Sequence, residues 1–264
     1  MVESRSIIAK ILQPLFVCFT YLFLYLPIIT MVLFSFNNSS VSMKWEGFSL
    51  RWYRQLFKTP EIINALQTSL IVAFCATILS VLLGLWLILG SRTWKSYFPF
   101  NLFYTNIILP EIVLAIGLLS IFTFFRISLG YISLITGHTI IGLGYVVPIL
   151  RARFTELDPV LTEASLDLGA SYFQTVRKIL LPLLMPSLVA SALLVFTLSL
   201  DDFLIAFFCV GPKVQTLSVY VYSMVRTGVD PTINAISAIF LSLSSLVMLI
   251  LCFLNVLDQV ISHE

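Results

Sequence analysis

The sequence has few charged residues. Only 11% of its 264 residues are Asp, Glu, Lys or Arg, against about 25% in a typical soluble domain. Hydrophobic residues make up 59%, and the mean hydropathy is +1.03. This leaves too little polar surface to keep a 29.7 kDa globule in water, which excludes a soluble enzyme and a disordered scaffold. Because the net charge is only +2, no basic face for a nucleic-acid partner is expected either.

Motifs for metal, disulfide or phosphate chemistry are also missing. The four cysteines, Cys18, Cys75, Cys209 and Cys252, lie in apolar runs without disulfide or metal-ligand spacing. His138 has no companions at metal-ligand spacing and is interpreted as a structural histidine. No GxxxxGK[ST] loop is present, so the chain cannot hydrolyse ATP itself. We therefore expect no enzyme activity and no cofactor bound by this chain.

Long segments with almost no charge divide the sequence. Each is long enough for one membrane-spanning helix, which needs about 20 apolar residues, and too short for two. The runs are continuous rather than alternating, which excludes transmembrane strands. The sequence thus predicts an all-α polytopic membrane protein with one domain over 1–264. Its six predicted helices lie near 13–36, 62–90, 97–125, 131–150, 186–209 and 232–257.

We expect the first predicted helix to stay in the mature protein. Its apolar run is far longer than the roughly 7–15 residues of a signal-peptide core. Six helices put both termini on one side of the membrane. Arg5 and Lys10 favour the cytoplasm for that side, although Lys and Arg are divided almost equally between the two sides.

Residues 151–185 form the only sizeable polar insertion. Thr155 or Asp158 could cap a helix, Pro159 is typical of its first turn, Gly169 indicates a turn, and a second short helix is predicted over 171–180. On these residues alone, a solvated loop with a surface helix is the simpler interpretation. The prolines expected to separate this helix from the fifth membrane helix are Pro182 and Pro186.

The insertion carries a longer pattern with fixed spacing. It reads Glu-Ala-Ser, three residues, Gly, nine residues, Ile, one residue and Leu-Pro. The pattern resembles the EAA signature of bacterial ABC importer permeases and departs from it only in Ser for the second Ala. The pattern comprises Glu163, Ala164, Ser165, Gly169, Ile179, Leu181 and Pro182, of which Ser165 is the departure.

That resemblance implies the binding-protein-dependent ABC importer permease fold and a coupling loop at 151–185. In the family, this helix–turn–helix docks in a groove on a cytoplasmic ATPase dimer, which binds ATP and Mg. Small Ala164 and Ser165 would allow close docking, and Glu163 would cap a helix or pair with an arginine of the partner. The resemblance also implies the bacterial inner membrane, with the loop and both termini in the cytoplasm.

Three further stretches narrow the resemblance to the spermidine/putrescine importer permeases, especially their second permease subunit. They are 34–37 (FSFN), 196–202 (FTLSLDD) and 222–231 (YSMVRTGVDP). The resemblance implies polyamine import, a second homologous permease subunit and an external polyamine-binding protein, with membrane lipid around the chain.

Three acids in the membrane segments, Glu111, Asp201 and Asp202, are the best clue to the substrate. A carboxylate near the bilayer centre costs several kcal/mol unless it faces a partner or a wet cavity. Glu111 and Asp201 would both stand roughly 21–23 Å from the cytoplasmic ends of their helices, and a cationic substrate would compensate them. Successive helix residues point about 100° apart, so the two aspartates cannot both reach one point. Structural roles stay open: Asp201 could cap a broken helix, and Glu111 could follow a kink at Pro110.

Aromatic and basic residues alternate through 37–60, where the spacing of Trp45, Phe48 and Trp52 predicts an amphipathic helix at the membrane interface. The segment is either a membrane-surface anchor or a docking surface for the external binding protein. Tyr220 and Tyr222 belong to an aromatic belt or face a cation through their rings.

The sequence leaves several other functions open. A related permease could import iron, thiamine or an oxyanion, but an oxyanion importer should present Arg, Lys or helix N-termini where this chain has Asp. A secondary transporter usually has an internal repeat of its helices, and none is visible. A membrane enzyme would need clustered His or acidic residues, and only the coupling motif argues against a six-helix channel.

Overall fold

The computed structural model describes residues 2–39, 44–90, 100–228 and 231–261. The surroundings of side chains are described within these ranges from residue 12 to residue 246 and at residue 249. Within them the chain is helical without a named strand, and its one isolated β-bridge pairs Asn37 with Phe48. The all-α prediction is therefore confirmed. The helices are α1 (Val2–Ser35), α2 (Arg51–Leu56), α3 (Pro60–Gly90), α4 (Asn101–Ile108), α5 (Glu111–Phe124), α6 (Tyr131–Glu156), α7 (Pro159–Asp167), α8 (Tyr172–Thr175), α9 (Leu181–Asp201), α10 (Leu204–Cys209), α11 (Leu217–Thr227) and α12 (Thr232–Ile261).

Four helical runs in the described chain are long and apolar enough to cross a membrane. They are Leu12–Ser35, Pro60–Gly90, Tyr131–Glu156 and Tyr172–Asp201, and the bent pair α4–α5 makes a fifth if it counts as one span. The sixth predicted helix corresponds to α12, whose first part, Thr232–Leu246, is apolar. This order is consistent with the six predicted helices.

The third predicted helix, 97–125, is not continuous. α4 and α5 are separate helices bent by 113° with respect to each other. Leu109 and Pro110 between them are extended, with ψ of 139° and 130°. Proline disfavours the helical conformation of the residue before it and has no N–H to donate, so the break falls here. Residues 97–99 of the prediction lie outside the described part of the chain.

The fifth predicted helix, 186–209, has different ends in the structure. The helical run begins at Tyr172, passes through a π-helical turn at Val176–Leu180 and continues to Asp201. Pro182 and Pro186 lie inside it, so their predicted role as a boundary is wrong. Pro182 lies in the first turn of α9, where a missing N–H is tolerated. At the other end the chain leaves the helix at Asp202 and restarts as α10.

The chain forms two compact units. One comprises 1–60 and 223–243, and the other comprises 61–222 and 244–264. The single permease domain over 1–264 stays a prediction.

In the larger unit, glycines of α6 allow close helix packing. A Cβ at Gly142 would lie against Ser80 Oγ of α3 and 2.8 Å from Val195 Cγ1 of α9, and one at Gly144 would lie 2.7 Å from Asn106 Cβ of α4. Small residues at such crossings let helix backbones approach in a membrane, where packing rather than the hydrophobic effect drives association. α6 is thereby held against three helices, and its inward side chains face a shared interior.

In the smaller unit, the chain after α1 folds back on the end of that helix. Asn37 donates its Nδ2 to Lys44 O (2.6 Å) and accepts at Oδ1 from Glu46 N (2.9 Å). These bonds hold a turn, so Trp45 and Phe48 lie outside any helix and only Arg51–Leu56 is helical. The predicted amphipathic helix is thus wrong before residue 51, and residues 40–43 lie outside the described chain.

The packing at Gly142 gives a first prediction. Gly142→Ala should overpack the contact with Ser80 and Val195, at a cost of about 1–3 kcal/mol. We expect the thermal unfolding midpoint of the purified protein in detergent to fall by about 2–10 °C. Gly117→Ala is the matched control, because a Cβ there has open space and alanine favours a helix. A Gly142→Ala midpoint equal to that of the control would contradict this account of the packing.

Candidate functional site

A cavity of about 220 Å³ lies in the larger unit, where both broken helices meet α6. Its walls come from α4, α5, α6, α9 and the residue that follows α9. Two carboxyl groups, of Glu111 and Asp202, and the His138 imidazole line it, and no lysine or arginine is among its lining residues. The lining residues are Asn106, Ile107, Leu109, Glu111, Leu114, His138, Ile141, Gly142, Tyr145, Val195, Leu198, Ser199 and Asp202.

Asp202 closes the break between α9 and α10. Its carboxylate accepts hydrogen bonds from the backbone N–H groups of Ala206 (2.8 Å) and Ile205 (3.3 Å), which have no partner in the preceding turn. Its own carbonyl accepts from Ser218 Oγ at 2.8 Å. The structural role considered for Asp201, capping a broken helix, therefore belongs to Asp202.

His138 connects Asp202 to α9. Its ring is buried, with 2% of the side chain exposed, and lies between Ser199 Oγ, 2.8 Å from Nδ1, and Asp202 Oδ2, 3.5 Å from Nε2. Asp202 itself is 5% exposed. The structural interpretation of His138 agrees with this burial. The structure adds that His138 lines the cavity, in contact with the acid that the sequence singled out.

Glu111 is the first residue of α5, directly after the break at Pro110. Its carboxyl group interacts directly with that of Asp202 in the cavity. The N-terminus of a helix stabilises negative charge, which favours an acid at this position. Two helix breaks therefore bring two carboxyl groups together.

Asp201 and the two tyrosines lie elsewhere. Asp201 is exposed and does not line the cavity. Neighbouring residues of a helix point about 100° apart, so the Asp201 side chain points away from that of Asp202. Tyr222 packs on Phe203 and Phe207, with ring centroids 4.8 and 5.8 Å away. Neither Tyr220 nor Tyr222 lines the cavity. Their contact with substrate stays a prediction.

Sequence reasoning missed Asn106 and Ser199. Asn106 donates its Nδ2 to Ile140 O of α6 at 3.0 Å, and Ser199 holds the His138 ring. These partners are 34 and 61 residues apart in the chain, so no local pattern could have paired them. A polar side chain inside an apolar run was the only available signal.

The insertion at 151–185 contains two helices joined by a tight turn. Of the two candidate caps, Thr155 lies inside α6, and Asp158 caps α7 by accepting at Oδ1 from Val160 N (2.9 Å). Ser171 and Gln174 form a reciprocal capping box at the start of α8. The prediction of a helix, a turn and a second helix is confirmed, except that the second helix continues into the membrane span.

Gly169 provides the turn. Its φ of +85° lies in the left-handed region, which glycine adopts without strain. Ser165 Oγ lies 2.9 Å from Thr175 Oγ1, so the residue that departs from the family pattern joins the two short helices. Tyr172 OH donates to Leu89 O (2.9 Å) near the end of α3 and ties the insertion to the bundle.

Part of the exposed surface of this insertion is apolar. Leu168 at the turn is 89% exposed, and four neighbours on the two helices are also exposed. Glu163 and Ala164 are exposed beside them, whereas Ile179 and Leu181 are partly buried. Exposed apolar patches of this kind mark protein contacts. The four neighbours are Val160, Leu161, Leu166 and Phe173.

The comparisons with known proteins place the chain in a family. Residues 80–263 match the family described as "Binding-protein-dependent transport system inner membrane component". The chain belongs to this family and is an inner-membrane transport component with several apolar helices.

Similar proteins indicate which kind of transport component the chain resembles. The chain is 37% identical over 246 residues to the spermidine/putrescine transport system permease protein PotC of Escherichia coli (strain K12), covering 92% of this chain and 93% of that protein. It is 33% identical to the putrescine transport system permease protein PotI of the same strain, covering 89% and 87%. These relatives are permease subunits of transport systems, not enzymes.

A solved structure shows the same fold. The bacterial alginate ABC transporter, in complex with an alginate pentasaccharide-bound periplasmic protein, matches with a TM-score of 0.67 and a sequence identity of 17%. The match covers 98% of this chain and 96% of that chain. The ABC importer permease fold implied by the sequence is therefore confirmed.

The cap at Asp202 gives a second prediction. Asp202→Ala removes the acceptor for two N–H groups, and loss of a helix cap costs about 0.5–2 kcal/mol. We expect the unfolding midpoint of the purified protein to fall by about 2–6 °C. Asp202→Asn keeps one acceptor oxygen and should lose less. Asp201→Ala is the control, and an equal loss in that exposed position would show that the cap is not the cause.

Proposed function

We propose that this chain is the transmembrane permease subunit of an ATP-driven importer of polyamines, spermidine or putrescine, and forms half of the translocation pathway. The observation that carries the proposal is the pair of carboxyl groups, Glu111 and Asp202, in a cavity without a lysine or arginine. The relatives that transport spermidine and putrescine support the same substrate class.

The cavity suits an organic ammonium ion. An ammonium about 4 Å from a carboxylate gains roughly 4 kcal/mol at an effective dielectric near 20, before desolvation is counted. A carboxylate inside the membrane is costly unless it is compensated, so both acids favour a cationic occupant. Leu114, Ile141 and Leu198 line the remaining wall and can contact the methylene groups between two amines.

His138 and Ser199 act as positioning residues in this proposal. When Ser199 donates to Nδ1, the ring proton lies on Nε2 and faces Asp202 Oδ2. Together with the backbone N–H groups of α10, it holds the Asp202 carboxylate in one orientation. The cation then meets a preorganised acid, which reduces the entropy lost on binding.

The partners follow from the insertion and from the family. The exposed apolar face around Leu168 is the docking surface for an ATPase dimer, which binds the ATP and Mg that this chain does not. Docking there places the insertion and both termini in the cytoplasm. A second homologous permease completes the pathway, and an external polyamine-binding protein delivers the substrate.

Transport proceeds by alternating access. Closure of the ATPases on ATP moves the docked insertion, and the helical run Tyr172–Asp201 carries this movement to the cavity. The cavity opens outward and receives the polyamine beside Glu111 and Asp202. ATP hydrolysis reopens the inner side, and the substrate leaves to the cytoplasm.

A permease for another small solute is the alternative. An oxyanion is disfavoured, because the cavity presents two acids and no lysine or arginine. Iron and thiamine are cationic, and only a transport assay distinguishes them from a polyamine. A secondary transporter needs no ATPase, so dependence on ATP separates it from this proposal.

Substitution of the acids tests the substrate site. Glu111→Gln and Asp202→Asn keep the size of each side chain and remove its charge. Loss of one charged contact costs about 1–3 kcal/mol, so we expect each variant to bind spermidine roughly 5- to 150-fold more weakly at this site. The measurement is labelled spermidine uptake into proteoliposomes that contain the complete transporter.

Asp201→Asn is the matched control, since Asp201 is next in sequence but outside the cavity. Thermal midpoints of all variants separate loss of transport from loss of folding. Normal uptake by both Glu111→Gln and Asp202→Asn, and by the double variant, would overturn the cation site. A loss confined to Asp201→Asn would move the site to the exposed side of α9.

The turn at Gly169 tests the coupling. Valine strongly disfavours a φ of +85°, so Gly169→Val should distort the turn while leaving the membrane helices in place. We expect ATP hydrolysis without matching uptake in the reconstituted transporter. Gly228→Val is the control, because Gly228 also has a positive φ and open space but lies outside the insertion. Normal uptake by Gly169→Val would exclude this turn from coupling.

A further inference from the structure

The segment after the first membrane span is fixed at the end of that span. Ser35, the last residue of α1, has its Oγ 2.7 Å from Tyr53 OH of α2. Trp52 donates its Nε1 to Asn37 O at 2.7 Å, and Phe36 stacks on both Phe48 and Tyr53. The apolar run Leu12–Ser35 ends at these contacts, so α2 lies at the level where the bilayer core meets its headgroups.

Three cations lie together on the outer side of this segment. Arg51, Arg54 and Lys58 follow one another at intervals of three and four residues, which places them on one helical face. Backbone bonds from Phe57 and Lys58 continue the turn beyond α2. The opposite face, with Trp52 and Leu56, is buried. The three cations line an open groove of about 620 Å³.

No acid compensates these cations within the described part of the chain. The ion pairs found there join Lys44 to Glu46 and Arg153 to Glu156, and Asp202 lies beside the His138 ring. Arg51 lies over the ring of Trp52, 5.1 Å from its centroid, which orients the guanidinium without neutralising it. The groove thus has a net positive charge and needs an anionic partner.

Exposed apolar side chains adjoin the cations. Phe48 is 72% exposed and lines the same groove with Leu50, and Phe57 is exposed next to Lys58. Aromatic rings beside basic residues are typical of chain segments that lie at a membrane interface, where rings enter the headgroup layer and cations meet phosphates.

We propose that the surface formed by Phe48, Arg51, Arg54 and Lys58, here termed the interfacial basic surface, binds phosphate headgroups of anionic phospholipids. The bilayer is the favoured occupant because the membrane span itself positions this surface at headgroup depth. A soluble acidic protein would bury the cations but would leave the exposed rings without an apolar layer to enter. The proposal does not depend on the transported substrate.

Competition between two lipids tests the proposal. The full-length protein is equilibrated in detergent with equal amounts of dioleoyl-phosphatidylglycerol and dioleoyl-phosphatidylcholine, and the lipids that it retains are counted by native mass spectrometry. We expect phosphatidylglycerol to be preferred. Each basic residue near a headgroup layer contributes several-fold, so the triple variant Arg51→Gln, Arg54→Gln and Lys58→Gln should lose about tenfold or more of the preference. Inorganic phosphate at millimolar concentration should not displace the lipid.

The matched control removes three other cations, with Arg126→Gln, Lys213→Gln and Arg226→Gln. It should keep the preference. A second variant, Arg51→Lys with Arg54→Lys, keeps the charge and should also keep it, which separates charge from side-chain shape. Thermal midpoints confirm that the variants are folded.

Two results would overturn the proposal. One is an unchanged phosphatidylglycerol preference in the folded triple variant. The other is equal retention of both lipids by the protein without substitutions. Weaker binding of the external solute-binding protein by a triple variant that keeps its lipid preference would assign the surface to that protein. Loss of lipid preference with normal substrate binding supports the proposal and leaves the transport site untouched.

Discussion

Inside a bilayer, every interrupted helix must satisfy its free backbone N–H groups without water, and this constraint determines the centre of the structure. The chain interrupts a helix after Asp201 and satisfies the next turn with the Asp202 carboxylate. His138 Nε2 lies 3.5 Å from that carboxylate, and Ser199 contacts the other ring nitrogen. A structural necessity therefore places a negative charge at a defined point in the membrane, beside a second acid at the other helix break.

One helical run connects this point to the polar insertion. Tyr172–Asp201 contains 30 residues, about 45 Å at 1.5 Å per residue. One end, Tyr172, lies three residues after Gly169, and the other, Asp201, precedes Asp202. The prolines inside this run do not divide it: Pro182 lies in the first turn of α9, directly after the π-helical turn, and Pro186 lies inside α9. Under the proposed function, ATPase movement reaches the substrate cavity through a single rigid element.

In the smaller unit, side-chain contacts fix the chain where it leaves the first membrane span. Asn37 satisfies the backbone of the following turn, and Trp52 and Tyr53 return the chain to the end of α1. This leaves basic and aromatic side chains outward at one depth. The contacts that fix the chain at the end of the span thereby also place the interfacial basic surface at that depth.

The sequence alone predicts the membrane helices, the family and the turn of the insertion. Charge-free runs of about 20 residues predict membrane helices because hydrocarbon excludes charge, and the fixed spacing around Glu163 and Gly169 identified both the family and the turn. Tertiary structure decided what depends on distant partners. Of the three acids that the sequence singled out, it brought Glu111 and Asp202 to one cavity and left Asp201 outside, since a helix break changes the direction of the next side chain. It also brought His138 and Ser199 together across 61 residues, a contact that only helix packing can create.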